Sequence, residues 1–366
     1  MLNQYSVSSE VNTGRREENA QWKRKPASTT RKAAQVRNDA LSNDLLSRFR
    51  DRLSLPLIAA PMFLVSGVEL VVAACRNGVI GSFPTVNCRS PEQLDDWLTD
   101  IERRLEAHAD AGGRPAAPVC ANLIVHRSNV RLEQDLQVLL KHRPEMVITS
   151  VGSPAPVLAP LHDAGALVFA DVASIRHAER AVAAGTDGLV LLTAGAGGQT
   201  GWLNPFAFVR AVRAFFDGPI VLAGGISDGH ALRAAQALGC DLAYMGTRFI
   251  ATRESMADAR YKEMLVKSSA DDILLTRAFT GLQTNMLRPS IEAAGLDPDH
   301  LPERGAIDIG KDIDIGAREN RPKRWKDIWS AGHSVSGVSE LLSVDEMVAR
   351  TVAEYREAGL RLRQQR

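Results

Sequence analysis

A glycine-rich stretch, TAGAGGQTGWLN at residues 193 to 204, holds the residues whose types and spacing first suggest chemistry. Four glycines fall between Gly195 and Gly201, directly behind the apolar run GLVLL, and the loop carries a single Gln199. Glycine lets backbone N–H groups approach a ligand closely, and a glutamine amide both donates and accepts hydrogen bonds. Three interpretations follow: a phosphate cradle, a tight turn without chemistry, or the floor of a flavin site.

Two further glycine turns have the composition of an anion site. AGGI contains Gly224 and Gly225, and MGTRF contains Gly246 and Thr247. Adjacent glycines let backbone N–H groups reach an anion, and the threonine hydroxyl adds a donor. The two turns predict a phosphate site, with simple chain reversal as the alternative.

Short apolar runs that alternate with helical patterns define the elements that must position these residues. Eight runs occur from Leu55 onward, with amphipathic stretches between them. This rhythm favours an α/β fold, a closed (β/α)8 TIM barrel, over an open doubly wound sheet. Phosphate in such barrels is commonly held after strands seven and eight, where the two glycine turns fall. The runs are LPLIAAPM, GVIGSFP, VCANLIV, MVITSVG, LVFADVA, GLVLLTAG, PIVLAGGI and LAYMGTRFI.

Other strand ends contribute polar or fixed groups. Pro61, after Ala60, fixes the backbone at the end of the first run and leaves Met62 to face the mouth. Asn122 in the third run offers a donor and an acceptor to a heterocycle edge, and an unbonded asparagine in an apolar strand is costly. Asp171 ends the fifth run, either as a polar site residue or as a structural carboxylate that holds a neighbouring loop.

Composition excludes several classes of protein. A chain of 366 residues with 45% hydrophobic and 24% charged positions is globular, and a net charge of +1 provides no global footprint for nucleic acid or an anionic membrane. No apolar run approaches the ~20 residues that span a bilayer. Four scattered cysteines without a CxxC pair predict neither a metal site nor disulfides, and fit a reducing cytoplasm. A small-molecule substrate is the expected partner, and a homodimer stays open.

Composition also divides the chain. Through residue 50 there are ten Lys or Arg against five Asp or Glu, and residues 1–48 are predicted to be a disordered basic extension. A nucleic-acid or targeting role is the alternative for that segment. Residues 49–253 are predicted to form the barrel, residues 254–325 a helical lid inserted after the eighth strand, and residues 326–366 a C-terminal segment and helix that complete the barrel.

The ordered motifs AAPM, ANLIV, AGAGGQTG, VLAGGISDG, MGTRFIATRES and WKDIWSAGH resemble the nitronate monooxygenase family over about residues 55 to 337. That family shares an FMN-dependent barrel with a class of flavin enoyl-acyl-carrier reductases. The resemblance implies an enzyme that binds FMN and oxidises alkyl nitronates with O2 to a carbonyl compound and nitrite.

The resemblance also implies where FMN lies. Its phosphate would rest on the turns after strands seven and eight, its ring near Met62, Asn122 and Gly197, and the turn Ser330–Gly332 would lie close to it. With the strand-end residues, the expected cofactor contacts are Ala60, Pro61, Met62, Asn122, Asp171, Ala196, Gly197, Gly198, Gly224, Gly225, Gly246, Thr247, Ser330 and Gly332.

One position departs from the family pattern. The loop usually reads AGGH, where the histidine is a base toward neutral nitroalkanes, whereas this chain has Gln199. Glutamine cannot accept a proton near neutral pH, but its amide can donate to a nitronate oxygen or a carbonyl. Gln199 is therefore expected to orient a substrate that arrives already anionic. His333, where relatives often carry glutamine, is the second catalytic candidate, with an exposed or partner-bonded histidine as the alternative.

Three other functions remain open at this point. An NAD(P)H-dependent quinone or enoyl reductase would use the same scaffold. The missing histidine would also suit a flavin-binding barrel that has lost catalysis. A Rossmann domain is the weakest alternative, because GAGGQTG lacks a glycine at position 200 and falls on the sixth strand.

Overall fold

Eight parallel strands close into a barrel in the computed structural model, which describes residues 48–302 and 327–364. The last barrel strand pairs with the first, with Leu57 opposite Ala243 and Ala59 opposite Met245. Each predicted run contains one strand, so the (β/α)8 barrel is confirmed. The barrel strands are β1 (Leu57–Ala59), β2 (Ile80–Pro84), β3 (Val119–Ile124), β4 (Met146–Ser150), β5 (Leu167–Val172) and β6 (Gly188–Leu192), then, after a short β7 (Gly198–Gln199) outside the barrel, β8 (Ile220–Ala223) and β9 (Leu242–Met245).

The barrel interior is apolar below its mouth. Ile58, Met146, Phe169 and Val190 from four strands pack with Phe49, which precedes β1, and all five are fully buried. The strands read as continuous apolar runs because helices cover their outer side. Polar side chains further along the strands therefore lie at the carboxyl end of the barrel.

The helices that alternate with the barrel strands form the outer layer, and further helices follow the last barrel strand. Their bounds are α1 (Val68–Arg76), α2 (Pro91–Asp110), α3 (Leu132–His142), α4 (Ala155–Asp163), α5 (Ile175–Ala184), α6 (Pro205–Arg213), α7 (Gly229–Leu238), α8 (Thr247–Ile250), α9 (Ala259–Lys267), α10 (Arg288–Ala293) and α11 (Val344–Gln364). Ser90 caps α2 by accepting from the Gln93 N–H at 3.3 Å. The C-terminal α11 packs against α7, where Glu354 accepts from the Gly229 N–H at 3.0 Å.

Residues 254–302, the described part of the segment predicted to be a lid, contain the helices α9 and α10 and also two strands that the sequence did not predict. β10 (Ile273–Thr276) and β11 (Thr284–Leu287) are antiparallel, and β11 also pairs with β7, with Thr284 opposite Gln199. Runs as short as ILLT and TNML cannot be assigned to strand or helix from periodicity alone. The resulting three-stranded sheet joins the lid to the glycine-rich loop.

Two predicted segments lie largely outside the described residues. These are the N-terminal extension, residues 1–48, of which only Arg48 is described, and residues 303–325 of the lid. Within residues 48–302 and 327–364, none of the helices combines the length and apolar composition that crossing a bilayer requires.

Candidate functional site

The carboxyl ends of the barrel strands surround a cavity whose wall also includes residues of the lid and of the segment 329–334. All of the predicted site residues line this cavity except Gly332 and His333. Strand ends of a closed barrel converge whatever their separation in the chain, which explains why reasoning from strand ends placed them together. The predicted residues in the lining are Ala60, Pro61, Met62, Asn122, Asp171, Ala196, Gly197, Gly198, Gln199, Gly224, Gly225, Gly246, Thr247 and Ser330.

The turn after β8 presents bare backbone to the cavity. Gly224 and Gly225 have φ angles of 123° and 77°, which side chains rarely permit. A Cβ on Gly224 would lie 2.4 Å from the Thr193 hydroxyl oxygen, whereas the Cα of Gly225 faces open space. After β9, a Cβ on Gly246 would meet the Met62 sulfur at 3.6 Å. The two turns form a main-chain cradle of the kind that binds phosphate.

The glycine-rich loop is held from two sides. The buried Asn285 on β11 donates from its amide to the carbonyl oxygens of Ala194 at 2.8 Å and Ala196 at 2.7 Å. On the other side, a Cβ on Gly197 would lie 2.6 Å from the Gly332 nitrogen, so the two backbones touch. The loop is therefore a packed part of the cavity wall.

Strand pairing places Gln199. Its neighbour Thr200 donates its N–H to the Gln283 carbonyl at 3.0 Å and its hydroxyl to the Thr193 carbonyl at 2.5 Å, which fixes the chain on the far side of β7. The half-buried Gln199 side chain lines the cavity, and its amide forms no hydrogen bond with another described residue. The amide is therefore available to a ligand.

Asn122 forms a fixed polar point on the floor. Its Nδ2 donates to the Ile148 carbonyl at 3.2 Å, and the Ser150 hydroxyl donates to its Oδ1 at 3.4 Å. Ser150 also lines the cavity, although it was not predicted to. It ends β4 as Asp171 nearly ends β5, so the same strand-end reasoning would have found it.

Two buried polar atoms in the mouth lack partners. Oδ1 of Asp171 and the hydroxyl of Tyr244 form no hydrogen bond within the described residues. Burial raises the pKa of Asp171 from 3.8 to about 7. The pKa of Tyr244 is also raised, mainly by burial and to a lesser extent by the negative charge of Asp171. A structural carboxylate that held a loop would be hydrogen-bonded to that loop, so the structure favours the interpretation of Asp171 as a site residue.

An aromatic pair forms the outer wall and was missed by the sequence analysis. Tyr261 from α9 stacks on Trp329, with ring centroids 5.1 Å apart and planes at 10°. Both line the cavity, and the Tyr261 hydroxyl donates to the Ser330 carbonyl. The two rings lie far apart in the chain and outside the barrel strands, where βα periodicity carries no information.

The turn at residues 330–337 is tied to the barrel through main-chain groups. The Gly332 N–H donates to the Thr247 hydroxyl at 3.0 Å, and the His333 N–H donates to the Gly195 carbonyl at 3.1 Å. The His333 side chain is exposed, and its imidazole is outside the cavity lining. The described cavity lining therefore gives no support to the prediction that His333 is catalytic. Gly332 likewise contributes a backbone contact to the loop instead of lining the cavity.

This barrel mouth can now be compared with known proteins. The sequence model of the nitronate monooxygenase family matches residues 47–354. The chain belongs to the nitronate monooxygenase family. It is thus an enzyme, a flavin-dependent oxidoreductase. The nitronate monooxygenase of Paraburkholderia phytofirmans is 28% identical over 354 residues, covering 84% of this chain and 94% of that protein.

Solved structures share the fold of this nitronate monooxygenase family member. FabK from Thermotoga maritima aligns with a TM-score of 0.72 at 22% identity, covering 88% of this chain and 99% of that one. Nitroalkane oxidase from Streptomyces ansochromogenes aligns with a TM-score of 0.69 at 23% identity, covering 85% and 98%. At these identities the likeness concerns the barrel alone.

The cavity suits the flavin of the nitronate monooxygenase family. A main-chain cradle accepts a phosphate, and the orphaned Asp171 and Tyr244 oxygens need partners that a polar heterocycle or its side chain provides. The lining includes no Lys, Arg or His within the described residues. Gln199 lies in the lining, and no described lining residue supplies an imidazole.

Proposed function

We propose that this chain is an FMN-dependent nitronate monooxygenase, which converts alkyl nitronates and O2 into carbonyl compounds and nitrite. The observation that carries the proposal is the position of Gln199, which lines the cavity and whose amide has no hydrogen-bond partner among the described residues. We take residue 199 as the position where the family pattern has its base. A substrate that is already anionic needs a hydrogen-bond donor there and no base. Nitronates meet that condition.

We propose FMN as the flavin, because the cradle would accept a terminal phosphate. Gly224, Gly225, Gly246 and Thr247 would hold its terminal phosphate, while Asn122 would face the ring. The bound flavin supplies the electron transfer and the reaction with O2.

The chain's own residues bind and orient the substrate. The Gln199 amide would donate to a nitronate oxygen and set the carbon of the substrate toward the ring. The stacked Tyr261 and Trp329 offer an apolar face to the alkyl part and limit access of water from that side.

The test combines cofactor identification with turnover. We expect the purified protein to release FMN on denaturation, identified by chromatography against FAD. Propionate 3-nitronate should then yield nitrite with consumption of O2, whereas 3-nitropropionate, whose nitro-bearing carbon keeps its proton, should react far more slowly. Bound FMN without nitrite formation from the nitronate would contradict the assigned reaction.

An NAD(P)H-dependent quinone or enoyl reductase is the second candidate. The apolar wall and the absence of cationic side chains from the described lining favour a neutral substrate. Anaerobic NADPH would bleach the flavin rapidly in a reductase and slowly in a nitronate monooxygenase. A flavin that neither NADPH nor a nitronate reduces would indicate a barrel without catalysis.

A further inference from the structure

Asp171 occupies the last inward-facing position of β5. Leu167 and Phe169 precede it on the same face and pack in the barrel interior, and the alternation of the strand directs Asp171 into the cavity mouth. It is the only carboxylate among the described lining residues. If a carboxyl group of the described lining gains or loses a proton, that group is therefore Asp171.

Asp171 and Tyr244 are alike in their lack of hydrogen-bond partners among the described residues. Oδ1 of Asp171 and the Tyr244 hydroxyl are both buried without a partner within the described ranges, and the two groups interact electrostatically. Buried polar atoms in native proteins are nearly always hydrogen-bonded. An orphaned pair at the mouth of a cofactor cavity indicates that the ligand completes the network.

The groups around Asp171 are uncharged. Tyr244 from β9 and Cys120 from β3 face it, and burial raises the pKa of both, so both stay neutral. On the adjacent strands, its register partner on β6 is Val190, and β4 ends in Ser150. Because the described lining also lacks Lys, Arg and His, no cation compensates an ionised Asp171, and burial raises its pKa to about 7.

We propose that Asp171 is the proton-binding residue of the cofactor site and meets the bound flavin as a neutral carboxylic acid that donates a hydrogen bond to it. The proposal rests on the proposed function only in taking flavin as the ligand. A flavin offers carbonyl oxygens, ring nitrogens and ribityl hydroxyls as acceptors, and a protonated acid is a donor where a carboxylate is not. A flavin that covers the carboxyl also removes water from it, which favours the protonated form further.

The consequence is that flavin binding is linked to proton uptake. Above the pKa of about 7, free Asp171 is ionised and must gain a proton when FMN binds. The affinity for FMN is then highest below that pKa, and it falls by up to about tenfold for each pH unit above it.

The test is calorimetric titration of the flavin-free protein with FMN, in buffers that differ in ionisation enthalpy. At about pH 8 we expect wild type to take up close to one proton more per FMN than Asp171→Asn. The FMN phosphate titrates in both proteins and cancels in the difference. Tyr244→Phe, which removes the neighbouring hydroxyl and keeps the carboxyl, should retain the uptake.

The outcomes separate the two proposals. Equal proton uptake by wild type and Asp171→Asn overturns the role of Asp171 and leaves the nitronate reaction untouched. A wild-type protein that does not bind FMN overturns both. If Asp171→Asn does not fold, Asp171→Ser serves in its place. In addition, the infrared carbonyl band of a protonated carboxylic acid should appear in wild type when FMN binds, and its absence overturns the proposal.

Discussion

The side-chain amide of Asn285 donates a hydrogen bond to the carbonyl oxygen of Ala196 at 2.7 Å. A second bond from the same nitrogen reaches the Ala194 carbonyl at 2.8 Å. One buried side chain of the lid therefore holds the loop from which Gln199 enters the cavity. The position of Gln199 therefore depends on a contact between segments almost ninety residues apart.

Replacing Asn285 with alanine should misplace Gln199. Two buried carbonyl groups lose their donor, so we expect unfolding to become easier by about 2 kcal/mol. The value of kcat/KM for a nitronate should fall by roughly tenfold to a hundredfold, because small displacements near reacting groups are costly. Chemical denaturation and steady-state nitrite assays measure the two effects. Asn77→Ala removes an amide bond to the Ala73 carbonyl far from the mouth and should leave kcat/KM unchanged. Equal losses in both variants would contradict this role.

The close approach of Gly197 to Gly332 predicts a sharp difference between two glycines of one loop. A methyl group at 197 would lie 2.6 Å from a backbone nitrogen, whereas one at Gly195 would meet no atom closer than 3.5 Å. Overpacking of this kind costs about 1–3 kcal/mol, so Gly197→Ala should weaken FMN binding about tenfold or more. Gly195→Ala, whose methyl group would make only ordinary van der Waals contacts, should weaken FMN binding much less. Fluorescence titration with FMN distinguishes them, and similar affinities for the two variants would refute the packing argument.

Gln199→His should confer activity on neutral nitroalkanes. An imidazole at this position can accept a proton near neutral pH, and general bases contribute on the order of a hundredfold or more. Nitrite release from nitroethane measures the gain. Gln199→Asn, which retains an amide without a base, should show none. A histidine variant that binds FMN and gains nothing would show that residue 199 is not beside the substrate.

Asp171→Asn should stabilise the flavin-free protein in a pH-dependent manner. The pKa of Asp171 is raised from 3.8 to about 7 on folding, so the folded state binds this proton more tightly and the free energy of unfolding falls as pH rises between those values. The variant should gain on the order of 4 kcal/mol at about pH 8 and little at about pH 4. Urea denaturation at both pH values measures it. Exposed Asp96 is the control, and a gain in Asp96→Asn of the same size would contradict an effect of burial.

The sequence predicted those features of the fold and the site that depend on neighbouring residues in the chain. Gly224 and Gly225 could be assigned to the cradle because positive φ and a strand end are both local features. Asn122 and Asp171 followed from the convergence of strand ends. The pairing of Thr284 with Gln199 could not be predicted, since it joins the lid to a distant two-residue strand. The Tyr261–Trp329 stack and the outward position of His333 depend in the same way on how the non-barrel segments fold back.

The strand pairing of Gln199 makes the loop and its cover one mechanical unit. The three-stranded sheet of β10, β11 and β7 joins residue 199 to residues 273–287, so a displacement of that sheet also displaces the Gln199 amide. A ligand that binds at Gln199 should therefore slow the exchange of the backbone amide hydrogens along β11.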